Sequence, residues 1–465
     1  MSTSERRTSS LPSNAPDRPD VGEIDGAEIR AEDRAHVFHS WSAQAAINPT
    51  PIVAAQGCWF WDDEGNRYFD LAAQLVNVNL GHRHPDLVAA IQAQADRLLM
   101  VAPSFANDMR SRLARMVVER APENMAKVFF TNGGADANEH AVRMARQHTG
   151  RTKILTAYHS YHGGSDLTMA MTMEPRGWML DEPPGFVHFF RPHLYRSVFE
   201  SDDWAEECER ALAHLEAVIL GEGPHTIAAV AFETVVGTNG ALAPPDGYLE
   251  GVRELCDAHG ILLIVDEVMV GFGRVGEWFA IQRWDVQPDL ITFAKGVNSG
   301  SVPLGGVLMS HEVAATFDDR PYPGGLTYSG HPLACAAGVA TIEVMERDNV
   351  LDHVRAIEPW LEEEIAGLAE RHDSVGDIRG LGMFWAVELV TDASTREPLV
   401  PLVHGMHPPM TEVVAACRDR GVWPFAHQNR IQFAPPLVAT RRELAWVIDV
   451  VDEALDVADR HAAAH

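Results

Sequence analysis

From Val21 onward, short apolar runs alternate with longer amphipathic stretches, and no repeat of 20 to 50 residues is visible. Four runs, Lys127–Thr131, Ala228–Phe232, Ile261–Val265 and Leu290–Ala294, are apolar on both sides. That pattern predicts parallel strands covered by helices on both faces. The helices are predicted by spacing. In the segment that opens at Pro85, a residue suited to a first helical turn, Val88, Ile91, Ala95 and Leu98 recur on one face. Leu249, Val252 and Cys256 make a similar stripe on a shorter helix closed by Gly260, and Leu444, Val447, Ile448, Val451 and Leu455 mark a long terminal one. The expected class is α/β, with a mostly parallel central sheet flanked by helices.

Composition narrows the picture. The 465 residues are 46% hydrophobic and 22% charged, ordinary for a soluble chain with a large core. Lys plus Arg number 37 against 66 Asp plus Glu, a net charge of −29 that repels nucleic acid and anionic membrane surfaces. Cys58, Cys208, Cys256, Cys335 and Cys417 lie far apart with no CxxC pair, as expected in a reducing compartment. Residues 1–20 are polar and proline-rich, and are expected to form a disordered tail. They contain no apolar signal core, and no later run approaches ~18 apolar residues, so a cytoplasmic protein is expected. The 22 histidines are scattered, with no HxxxH pair on a convincing helix, and no metal site is expected.

The candidate chemistry sits just beyond each apolar run. The first run ends in Asn132-Gly133-Gly134 and enters a helix with Ala137, Ala141 and Met144 on its apolar side. Free N–H groups at such a helix start can hold a phosphate, although a plain strand-to-helix turn reads the same way, and neither GxGxxG nor GxxxxGKS/T is present. The second run is followed by Glu233, the third by Asp266 and the fourth by Lys295. Ligands bind at the carboxyl ends of strands in open parallel sheets. At the edge of an apolar core Asp266 needs a partner: a heterocyclic cation, a helix N-terminus or a structural ion pair. Desolvation draws a lysine at such a place toward neutrality, which makes Lys295 a candidate for Schiff-base chemistry, with a solvated loop lysine as the plain alternative.

Taken in order, the glycine turn, SYHGGS at Ser160–Ser165, AFETVVG, VDEVMVGFGR, FAKG and LTYSGHP at Leu326–Pro332 resemble the class III (ω-) aminotransferases. The likeness runs from about Ile47 into the terminal helix. It implies the pyridoxal 5′-phosphate (PLP)-dependent fold type I, with a large cofactor-binding domain at 65–335 and a smaller α+β domain built from 21–64 and 336–465. By the same resemblance Lys295 would join the cofactor and shuttle a proton, and Asp266 would hold the ring nitrogen protonated. Tyr161 would stack on one ring face, with His162 beside it, and Val268 would pack the other. Gly133, Gly134 and Ala135 would hold the phosphate, and Glu233 would lie near the ring hydroxyl. Thr327 would reach the phosphate of a neighbouring subunit, giving a homodimer with shared active sites that could pair into a tetramer.

Two departures from the family pattern bear on the substrate. Phe425 stands where many relatives place a carboxylate-binding arginine, and Arg430 follows five residues later, either as its substitute or paired on the surface of the strand Arg430–Phe433. Gln74 occupies a position often aromatic in amine-accepting relatives, which favours an ω-amino acid with a charged distal group. Several motifs are similar to taurine or β-alanine aminotransferases. Arg191 and Arg196 are further anion-binding candidates or plain surface residues. The expected reaction is ping-pong transfer from an ω-amino acid or amine, such as taurine, β-alanine or 4-aminobutyrate, to pyruvate or 2-oxoglutarate. An aminomutase, racemase or decarboxylase on the same scaffold is the alternative.

Overall fold

In the computed structural model residue 12 and residues 15–178, 183–403, 405 and 407–463 are described. Of the expected tail, residues 1–11, 13 and 14 lie outside that set. Pro16 accepts a hydrogen bond from Arg67 Nη1 at 2.7 Å, so the fold engages the chain before the expected Val21.

Two compact units emerge, Met1–His84 with Ala356–Ile378 and Met383–His465, and Pro85–Arg355 with Arg379–Gly382. The expected divisions at 64/65 and 335/336 both move. The strand Arg67–Asp70 pairs with Trp59–Asp62, which keeps the residues after 64 in the first unit. The helix Pro332–Arg347 packs on Pro85–Arg97 and Asp108–Val118, which keeps the residues after 335 in the second.

A seven-stranded sheet forms the middle of the second unit. Its order is Met125–Thr131, Gly305–Ser310, Leu290–Phe293, Leu262–Asp266, Ile227–Glu233, Lys153–Ala157 and Phe186–Phe189. Gly305–Ser310 runs antiparallel to both neighbours, and the other pairings are parallel. All four expected strands are present, and Glu233 and Asp266 are the last residues of theirs rather than the first beyond them. Alternation on a doubly covered strand explains the uninterrupted apolar runs: Val230 and Phe232 join one buried cluster and Ala229 and Ala231 the other.

The helix Gly134–Thr149 buries Ala137, Ala141 and Met144, and Tyr248–His259 buries Leu249, Val252 and Cys256 before Gly260 ends it at φ +59°. The helix Pro85–Arg97 differs from expectation. It buries Leu87 and Gln94, while Val88 is 38% exposed and Ala95 is exposed. The buried face is turned by one residue because Gln94 satisfies its amide locally, donating to Leu98 O (2.7 Å) and accepting from Arg97 (2.8 Å).

In the first unit Ile52–Gln56, Trp59–Asp62, Arg67–Asp70 and Val422–Trp423 form one sheet, and Phe384–Asp392, Arg430–Phe433 and Phe425–His427 pair in another. The terminal helix Arg441–Ala462 opens with a capping box between Thr440 and Glu443 and buries all five expected stripe residues. Among the described residues no helix is long and apolar enough to cross a membrane.

Candidate active site

Three neighbouring parallel strands of the second unit end side by side, with Glu233 in register with Asp266 and Asp266 with Thr292. The chain continues from Thr292 through Phe293 and Ala294 into a short 3-10 turn at Lys295–Asn298. Lys295 takes φ +45°, a left-handed conformation that costs a non-glycine residue of order 1–3 kcal/mol. Burial holds its amine below the ordinary lysine range; Asp266 and Glu233 oppose that effect, and the charges of Arg176 and Arg274 add to it.

Asp266 is buried, and three donors converge on its carboxylate. Oδ2 accepts from Asn138 Nδ2 and from His162 Nδ1, each at 2.7 Å, and Oδ1 accepts from Val268 N at 2.9 Å. Asn138 is itself fixed, donating to His162 O (2.9 Å) and accepting from Thr292 Oγ1 (2.8 Å). A carboxylate offers about four lone pairs, so one acceptor position on Asp266 stays open. His162 Nε2 is buried and has no hydrogen-bond partner among the described residues.

The glycine turn faces this cluster. A Cβ on Gly134 would come within 2.8 Å of Val268 Cγ1, which shows how closely the Val268 side chain lies against the helix start. Among the described residues no side chain caps that start, while the Asp136 carboxylate accepts from Asn132 N (3.2 Å). The first amides of the helix are therefore open donors at the positive end of its dipole. Gly163 adopts φ +139°, and a Cβ there would meet the Ala135 Cβ at 2.6 Å. Tyr161, His162 and Gly163 thus approach the turn from the other strand.

Glu233 has a task within the protein that its place in the sequence did not reveal. Its Oε1 accepts from Tyr161 N (3.0 Å) and Oε2 from Gly237 N (2.7 Å), so the carboxylate ties down the backbone that carries Tyr161. Burial pushes its pKa up. Arg191 donates from its two terminal nitrogens to Glu233 O and Thr234 O and lies over the Phe232 ring at 4.6 Å. It is a fastener for the strand end rather than a free anion anchor. Arg196 lies over the ring of Tyr195 at 5.4 Å. Thr327 is exposed, beside a turn in which Ser329 Oγ donates to Phe130 O at 2.6 Å.

Gln74, Phe425 and Arg430 belong to the first unit. Gln74 is exposed, at φ +60°, and its Nε2 donates to Asp70 Oδ2 at 2.9 Å. Phe425 is half-buried opposite Gln432. Arg430 is buried, faces Glu388 and His427 in register and donates to Gln428 Oε1, which replaces the expected surface pairing with an interior one.

Sequence reasoning missed Asn138, Thr292, Glu267 and Arg176. Asn138 left a trace, a polar residue on the helix face that carries Ala137 and Ala141. Glu267 is fully buried, takes donors from Thr234 Oγ1 (2.6 Å), Ala280 N (2.8 Å) and Ile281 N (2.9 Å), and is pushed up to about 7 by burial. Arg176 sits in an irregular segment without periodicity and left no trace.

Open helix-start amides, a buried carboxylate with a spare acceptor position and a desolvated lysine just past the end of the adjacent strand fit a phosphorylated aldehyde whose ring carries a protonated nitrogen. Comparisons with known proteins agree. Residues 41–455 match the family described as Aminotransferase class-III. The taurine–pyruvate aminotransferase of Bilophila wadsworthia is 31% identical over 458 residues, covering 94% of this chain and 98% of that one. The 4-aminobutyrate aminotransferase GabT of Escherichia coli is 32% identical over 422 residues, covering 89% and 95%. Among solved structures, the taurine:2-oxoglutarate aminotransferase of Bifidobacterium kashiwanohense, in complex with PLP and glutamate, superposes with a TM-score of 0.91 at 41% identity, covering 94% and 99%.

Proposed function

The chain belongs to the class III aminotransferases and transfers amino groups with pyridoxal 5′-phosphate, and we propose that its donor is an ω-amino acid bearing a distal sulfonate or carboxylate, with pyruvate or 2-oxoglutarate as acceptor. The observation that carries the reading is the strand-end cluster, Asp266 held by three donors next to a lysine drawn toward neutrality. When bound, the cofactor supplies an aldehyde carbon for the donor nitrogen and a cationic ring that draws electrons from the donor Cα.

The protein groups then have separate tasks. Lys295 would hold the cofactor aldehyde through its amine and, once the donor nitrogen has released it, would carry the proton from the donor Cα to the cofactor's aldehyde carbon. Asp266 keeps its charge toward the ring nitrogen through the one acceptor position that Asn138, His162 and Val268 leave open. Val268 and Tyr161 bracket the ring, and Glu233 fixes Tyr161 from behind. Gly133, Gly134 and Ala135 give the phosphate backbone donors at a helix start.

The functional particle is a homodimer in which Thr327 completes the partner's phosphate site. Several large apolar side chains of the second unit support this, with Leu99 56%, Phe105 62% and Tyr328 56% exposed in a single chain. Sedimentation of the holoenzyme should give twice the chain mass, and a monomer that retains full activity would refute the shared site. The substrate assignment is tested with taurine, β-alanine, 4-aminobutyrate and 1-phenylethylamine as donors, each against pyruvate and 2-oxoglutarate. Acid-bearing donors should exceed 1-phenylethylamine in kcat/KM. The opposite order, or product formation that needs no keto acid, overturns the proposal.

A further inference from the structure

We infer that Arg176 is the group that receives the distal acid of the donor, an inference that rests on the proposed ω-amino acid substrate and names the residue that reads it. Three contacts define its state. Its guanidinium lies 3.8 Å above the centroid of the Tyr161 ring. Its Nε donates to the buried Glu174 Oε1 at 2.5 Å, and its backbone N reaches the same oxygen at 3.3 Å. Nη2 is buried and meets no acceptor among the described residues.

That arrangement is unusual for a merely structural arginine. A guanidinium presents five N–H donors in a planar fork. Glu174 occupies the Nε side and the Tyr161 ring covers one face, which leaves Nη2 as the unsatisfied donor. A buried donor without an acceptor costs about 1–3 kcal/mol, a cost that an arriving carboxylate or sulfonate removes by accepting a charge-assisted hydrogen bond from Nη2. The cation is also in the right place. It shares the Tyr161 ring that the proposed cofactor site uses, and its charge is felt at the Lys295 amine. An ω-amino acid carries its nitrogen and its acid at opposite ends, so one molecule can present nitrogen to Lys295 and acid to Arg176. Glu174 balances the charge when no substrate is bound, which keeps the pocket from holding a cation alone in a low-dielectric site.

The test uses the holoenzyme and its Arg176→Gln and Arg176→Lys variants, checked for unchanged melting temperature and cofactor absorbance. Ethanesulfonate, an acid without an amine, is titrated by calorimetry. Its Kd should rise about 10- to 100-fold in Arg176→Gln and by less in Arg176→Lys, which keeps the charge but loses the fork. In turnover, KM for taurine or β-alanine should rise by a similar factor while kcat/KM for 1-phenylethylamine changes less than about threefold. Equal losses for acid and neutral donors, or an unchanged ethanesulfonate Kd, overturn the inference. So does a variant that loses the cofactor, since it would make Arg176 a support for Tyr161. If the wild type binds ethanesulfonate through Arg176 yet turns over no acid-bearing donor, the substrate reading fails and the anion site stands.

Discussion

Two histidines in this chain meet a carboxylate through Nδ1 at the same 2.7 Å, His162 on Asp266 in the second unit and His372 on Asp459 in the first. Distance does not separate them; the atoms left over do. His372 also places Nε2 3.2 Å from Asp452 Oδ1, and Asp459 Oδ1 takes both the amide (3.1 Å) and the hydroxyl (2.7 Å) of Ser374. Both ring nitrogens of His372 are thus engaged, and the cluster fastens the terminal helix to the segment after Arg371. Beside Asp266, by contrast, His162 Nε2 is buried and unpartnered among the described residues, and a desolvated lysine lies just past the end of the neighbouring strand. A carboxylate–histidine pair is thus structural or functional according to what the second ring nitrogen meets and which groups stand beside the carboxylate.

The comparison breaks most decisively at Lys295. Lys295→Ala should lower turnover by about 10⁴-fold, the upper end of what a positioned proton-transferring group supplies, with an unchanged or higher melting temperature because a desolvated amine is gone. Retained formation of the product amino acid, followed chromatographically, would contradict the assignment. Asp266→Asn removes the charge and turns one of the two acceptor oxygens into a donor, so a loss of about 10²-fold or more in kcat in a folded protein is expected. Similar kcat values for variant and parent would make Asp266 as structural as Asp459.

Glu267, the next residue, is a carboxyl of the same unit enclosed entirely by protein, and it sharpens the contrast. Its pKa is pushed from the usual 4.5 to about 7, so the folded state holds a proton that the unfolded chain releases. Stability is full below about pH 4.5 and falls as pH rises through 7, by on the order of 3 kcal/mol. Denaturant melts of Glu267→Gln should show a flatter pH profile across that interval, and an unchanged slope would disprove the titration. The smallest effect is expected at His372. Burial lowers its pKa, but the hydrogen bonds and charges of Asp452 and Asp459 outweigh that and leave it raised. The pair therefore stabilises fully below about pH 6.5 and loses its contribution as pH climbs past the raised value. His372→Gln should cost about 1–2 kcal/mol at pH 6 and much less at pH 9, with turnover within about twofold of the parent. A pH-independent cost would argue for packing rather than charge.

Much of the candidate site was legible in the chain because it lies where local pattern changes. A glycine pair, an acid and a lysine each come after a run of apolar residues, and an ionisable group at the edge of a core must have a reason to be there. The residues that hold that group were harder to see. Asn138 reaches Asp266 from a helix, Thr292 holds Asn138 from a strand far away in sequence, and neither breaks its own segment's periodicity enough to stand out. Arg176 lies in no element at all.

By itself, then, the sequence determined the alternation of strands and helices, the stripes of the terminal helix and of Tyr248–His259, and the identity of the charged groups at the strand ends. These features depend on neighbours a few residues apart, where spacing and burial are tied by geometry. Tertiary structure alone decided which face of Pro85–Arg97 is buried, that Arg430 is interior, that Glu233 serves the backbone of Tyr161, and that Arg176 lies across that same ring. Each depends on which distant surface supplies the packing or the hydrogen-bond partner, and a one-dimensional pattern carries no record of that choice.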